Sequence, residues 1–145
     1  MGLSKDCKSQ IMRNMTGKSQ QITIASDCYI GLLSAAPGYE RVDYELVYLT
    51  HELEGAGYQR MHIGNFQSAA SQVMTDIDDN GTSVNSETIF FPEAEGDWGT
   101  ATHFALFNRA TDSEPHLWGE LTSSVTINEG YVPIFKPGSL SITIN

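Results

Sequence analysis

Asp76 to Pro92 reads DIDDNGTSVNSETIFFP, and the fold turns on how this stretch is read. Asp76 to Glu87 matches the calcium-loop pattern D-x-[DN]-x-[DN]-G-x5-E at every specified position. In that reading Asp76, Asp78 and Asn80 supply oxygens, Gly81 the sharp turn and Glu87 a bidentate carboxylate. An EF-hand also needs a helix on each side of its loop. Ser68 to Thr75 can form a short one upstream. Downstream, Thr88, Ile89, Phe90 and Phe91 are strand formers, and Pro92 arrives five residues after Glu87. Loop position eight, usually apolar, is Ser83, and Asp-Asn-Gly is a turn signal in its own right. The stretch is therefore expected to be a turn leading into a strand. A calcium ion held by an irregular loop stays open as the alternative, because four oxygen donors lie close in sequence; no metal ligand is assigned.

The flanking sequence has the same character. Tyr29 to Pro37, YIGLLSAAP, reads as a buried strand stopped by Ala-Pro-Gly. After the glycines of GAGYQRMHI, Tyr58, Arg60 and His62 alternate with Gln59, Met61 and Ile63. Thr88–Pro92, Thr102–Asn108 and His116–Leu121 read as further strands. Val125 and Ile127 alternate with polar neighbours, and so do Leu140, Ile142 and Ile144. Pro133 places YVPIF at an edge or a bulge. Tyr39 to Tyr48 is mixed and acidic, and is expected to be a loop or a short helix. Short strands separated by Gly, Pro and Asn turns predict a mainly β chain, a β-sandwich or jelly-roll-like domain over residues 20–145.

Residues 1–17 differ. Leu3, Cys7, Ile11 and Met15 recur every four residues, with charged and polar residues on the other side. That spacing predicts an amphipathic N-terminal helix of about three turns. Ser4 can cap its start and Gly17 its end. An isolated helix of this length is marginal in water, so it is expected to pack on the domain or anchor it to a neighbour.

At 145 residues the chain is expected to be a single domain, 1–145, with enough length for an ordinary hydrophobic core. Eighteen acidic and eight basic side chains give a net charge of −10. Direct nucleic-acid binding is not expected of such a chain, since phosphate affinity comes mainly from Lys and Arg. No signal peptide is read after Met1, and no apolar run is long enough to span a membrane. Cys7 and Cys28 are too few for a disulfide framework and read as buried thiols.

Catalytic chemistry is not legible. His51, His62, His103 and His116 form no HExxH, and CxxC, GxSxG, P-loop and Rossmann patterns are absent. His103 lies inside an apolar strand and reads as a hydrogen-bonded structural histidine. His51 with Glu52 and Glu54 reads as a solvated polar cluster. Trp98 and Trp118 can stack on sugars, but in a small β-domain they read first as core or interface anchors. No catalytic residue, no cofactor-binding residue and no cofactor is assigned, and the chain is expected not to be an enzyme.

FPEAEGDWGTATHFALF (Phe91–Phe107), LWGEL (Leu117–Leu121) and SLSITIN (Ser139–Asn145) resemble a family of small bacteriophage virion proteins commonly labelled tail fibre proteins. YIGLLSAAP, THELEGAGYQR and NGTSVNSETIFFP extend the resemblance upstream. It implies a non-enzymatic structural part, made in the host cytoplasm and located in the virion. The 145 residues hold no long repetitive shaft, so the expected role is capsid decoration. In that role a cement protein binds the major capsid protein lattice through multivalent contacts, as a homotrimer set by the lattice symmetry. The alternative is a tail-associated or tail-fibre subunit that contacts tail proteins, or a host-glycan-binding module of the virion.

Overall fold

A computed structural model describes residues 2–3, 8, 28–64, 82–107, 109–111, 115 and 117–143. Its named elements are all strands, and the chain is mainly β. Of the helix expected over residues 1–17, all but residues 2, 3 and 8 lies outside the described residues. Leu3, expected on the apolar side of that helix, instead belongs to strand β1 (Gly2–Leu3) and pairs with Leu117. Cys7, Asp76, Asp78, Asn80, Gly81 and His116 also fall outside the described residues.

Three strands form the centre. They are β2 (Cys28–Leu33), β8 (Gly99–Phe107) and β9 (Leu117–Ile127). With β1 and β5 (Met61–Gly64) they make an antiparallel five-stranded sheet in the order β1-β9-β8-β2-β5. The reason is the period of two. In register, Ile30 lies opposite Leu106, and Leu32 opposite Phe104. These four face the main core, together with Leu121, Ile127 and Trp98. The intervening residues Tyr29, Leu33, Ala105, Phe107 and Trp118 gather on the other face as a second, smaller cluster. Both faces of the central strands are therefore apolar, and this is why YIGLL and HFALF read as continuous apolar runs.

Short strand pairs complete the main core. Strand β7 (Ile89–Phe90) pairs with β10 (Ile134–Phe135), and β6 (Thr82–Val84) with β11 (Ser141–Thr143). They deliver Ile89, Phe135 and Ile142 to the core, and the adjoining Phe91 and Leu140 join them. Gly119 lets β11 approach β9. A Cβ there would lie 2.6 Å from the Ser141 carbonyl and 2.9 Å from the Phe104 ring. Pro133 precedes β10, which among the described strands pairs only with β7 and so is an edge strand, as expected; its carbonyl accepts from Phe91 N–H at 2.9 Å.

Two sequence expectations are corrected. His116–Leu121 and Val125–Ile127 are not separate strands. Leu117–Ile127 is one strand of 11 residues, whose exposed Thr122, Ser123 and Ser124 fall where the register with β8 shifts, between Ala101 and His103. Tyr39–Tyr48 is neither loop nor helix. It lies in a β-hairpin formed by β3 (Gly38–Val42) and β4 (Glu45–Leu49). Asp43 and Tyr44 turn the chain with φ of 49° and 68°, the two positive angles that a two-residue type I′ turn requires.

Asn85 ties the ends of the short strands together. It is buried, and its amide donates to the Glu87 and Lys136 carbonyls at 2.9 Å each. Its Oδ1 accepts from Leu140 N–H at 2.9 Å. Asn85→Ala leaves these buried groups unmatched and is expected to cost about 1–3 kcal/mol of stability, read as a lower denaturant midpoint at unchanged m-value.

Candidate functional site

The segment between β4 and β5 runs alongside the end of β2 and carries a dense set of polar contacts among the described residues. It begins by extending the edge of β2. Ser34 N–H donates to the His51 carbonyl at 2.8 Å, and Leu53 N–H to the Leu32 carbonyl at 2.9 Å. Leu33 and Glu52 form an antiparallel bridge. Beyond the reach of β5, Leu32 N–H donates to the Tyr58 hydroxyl at 3.1 Å. The Tyr58 hydroxyl in turn donates to Glu52 Oε2 at 2.7 Å. A side chain thus closes a gap in the backbone ladder.

Arg60 locks the arrangement. Its Nε and Nη2 donate to the two Glu52 carboxylate oxygens, each at 2.8 Å, a bidentate pair. Its Nη1 donates to the Arg109 carbonyl at 2.9 Å, which ties in the chain after β8. The guanidinium lies 3.5 Å from the centre of the Phe107 ring. The side chains of Arg60 and Glu52 are only 5% and 17% exposed. Such a pair is stable only when its remaining donors and acceptors are satisfied, as they are here by Tyr58 and Arg109.

Gly31 makes the room. A Cβ on it would lie 2.7 Å from Glu52 Oε2, 2.7 Å from Phe107 Cε2 and 3.2 Å from the Tyr58 hydroxyl. Burial, with the neighbouring Glu52 carboxylate, raises the Tyr58 hydroxyl far above its ordinary pKa and holds it as a neutral donor. Trp98 buttresses Tyr58 edge-on at 5.2 Å and donates its indole N–H to the Ala56 carbonyl at 2.8 Å. An open cleft, lined by Tyr29, Glu54, Gln59 and His62 among others, runs alongside. The arrangement holds strands in register. Its carboxylate and guanidinium already satisfy each other.

Glu52 therefore does not belong to a solvated cluster with His51 and Glu54, as its neighbours in sequence suggested. His51 and Glu54 are exposed, while Glu52 turns inward to Arg60. Its signal in the sequence was Gly31 itself, since a lone glycine inside an apolar strand marks close approach by another group. Trp98 is 3% exposed and serves as a core anchor, with no face free for a sugar. Trp118 is half-buried, 5.8 Å from the His103 ring. His103 is half-buried in β8, with its Nδ1 2.8 Å from Thr102 Oγ1. His62 lies beside Tyr29, the ring centres 5.0 Å apart and the planes tilted by 51°.

The calcium-loop stretch does not continue as an EF-hand. Thr82 to Val84, loop positions seven to nine, are strand β6 paired with β11. After the exposed Glu87 comes strand β7, where an EF-hand requires a helix.

A family model described as podophage GP4 fiber I protein gp80 matches residues 2–143. The chain belongs to this family. No curated protein matches it. Membership of a phage fibre family makes the chain a virion structural component, which agrees with the resemblance read from WGTATHFALF and SLSITIN. The Glu52–Tyr58–Arg60 lock falls inside THELEGAGYQR, one of the stretches that carried that resemblance.

Cys28 opens β2 and is a buried free thiol, as expected. Desolvation pushes it from 9.0 up to about 12. The unfolded chain ionises first, so the stability contributed by the neutral thiol is intact below pH 9.0 and drains away as pH rises toward about 12. Tyr58, also raised, adds loss in the same direction at higher pH. Cys28→Ala is expected to flatten the fall of unfolding free energy between about pH 9 and 11, measured by urea titrations at each pH.

Proposed function

We propose that the chain is a non-enzymatic structural subunit of a bacteriophage tail fibre, joined to neighbouring virion proteins through its exposed apolar surface. The observation that carries this reading is the family match over residues 2–143 to a fibre protein. The geometry agrees with it. The buried carboxylate, guanidinium, phenol and amide of Glu52, Arg60, Tyr58 and Asn85 are engaged in holding strands together. Large apolar side chains stand on the surface instead. Phe90 and Ile134, cross-strand partners in β7 and β10, are both exposed, as are Tyr131 and Val132 nearby. Such patches mark contacts with other proteins.

The two short strand pairs over the five-stranded sheet support a compact sandwich as the body of this subunit. Capsid decoration is the second reading. It draws on the absence of a repeated shaft sequence in these 145 residues. Repeated copies gain attachment through multivalency in either position, and a homotrimer suits both.

Immunogold labelling of purified particles with antibody to this chain separates the two. Gold at the tail is expected. Gold spread over the head surface would replace the fibre reading with decoration, and particles that lack the polypeptide by mass spectrometry would contradict both.

A further inference from the structure

The β3–β4 hairpin is the least covered part of the described chain. Among the described strands, β3 and β4 pair with each other alone. Tyr39, Val42, Leu46 and Val47 are exposed, and Tyr44 at the tip is 95% exposed. A two-stranded ribbon is marginal by itself in water. Tyr44 holds a left-handed φ of 68° that glycine would adopt at less cost, and its ring gains no burial within the chain.

Register assigns each side chain to a face, because directly opposed residues of an antiparallel pair share one. Tyr39 opposes Tyr48, with rings 5.0 Å apart, and Arg41 opposes Leu46. These four make an aromatic and aliphatic face with one positive charge. Glu40 opposes Val47, and Val42 opposes Glu45. They make the other face, aliphatic with two negative charges. Arg41, Glu40 and Glu45 are all exposed.

We propose that this hairpin joins copies of the chain head to tail, with the Arg41 face of one copy laid on the Glu40–Glu45 face of the next. This deepens the reading of the chain as a virion structural subunit and rests on it. Charge complementarity selects the arrangement. A two-fold contact would set Arg41 against Arg41, or both glutamates against the same two, and like charges oppose it. A head-to-tail contact pairs opposite charges and covers both apolar faces with one kind of junction. Such contacts close into rings by rotation, and three copies form the smallest. Tyr44 at the tip then lies against the neighbour.

The test is the mass of the purified full-length chain by light scattering, at low ionic strength, with far-UV circular dichroism as the check on folding. The wild type is expected to be a closed multimer of three or more copies. Arg41→Glu makes both faces negative, and Glu40→Lys with Glu45→Lys makes both positive. Each variant is expected to dissociate by at least tenfold in protein concentration while staying folded. Combining all three substitutions restores opposite faces and is expected to restore the multimer. A monomeric wild type would overturn the proposal and leave the hairpin to another virion protein, without touching the fibre reading, which particle labelling tests. A two-fold dimer, or a multimer indifferent to both single-face variants, would also overturn it.

Discussion

The bidentate pair between Arg60 and Glu52 is the constraint on which the described fold depends. It fixes the segment before β5, which bridges to β2 at Leu33, and ties it to the chain after β8. Desolvating two charges is costly, and the cost is offset only because each remaining polar atom near the pair is matched. Tyr58 satisfies one carboxylate oxygen, the Arg109 carbonyl one guanidinium nitrogen, and the Phe107 ring lies against the cation. Gly31 is the sequence-level condition for all of it, since any Cβ there would meet the carboxylate and the ring together.

This distribution of chemistry explains why the chain reads as a structural part. Among the described residues, the side chains of Glu52, Tyr58, Arg60 and Asn85 are turned inward, where they hold backbone and one another. Large apolar side chains are turned outward, in the hairpin and along β7 and β10. The contacts that hold the fold and the surfaces proposed for assembly therefore lie on different side chains. A change in one need not disturb the other.

How much of this was legible varies from element to element. Strands β2, β8 and β11 were plain, because buried apolar residues or strict alternation mark them directly. The strand at Ile89–Phe90 was also legible, since strand formers and a proline outweighed a complete calcium pattern, whereas Thr82–Val84, read as part of the turn, is strand β6. The hairpin was missed because both of its faces mix apolar and charged residues, so no alternation survives, and because its turn is Asp-Tyr without glycine. Strand β9 was split in two by its exposed serines. The candidate site was hidden for a different reason. Glu52 sits between exposed His51 and buried Leu53, and only the partner eight positions on, Arg60, turns it inward.

A double-mutant cycle on Glu52→Leu and Arg60→Met, followed by denaturant unfolding, tests the central claim most directly. Removing either partner leaves a buried charge without its match, a loss of about 3–5 kcal/mol for such pairs. The account predicts that each single variant unfolds at much lower denaturant, and that the double variant is no less stable than either. Single variants as stable as the wild type, or losses that simply add, would contradict it.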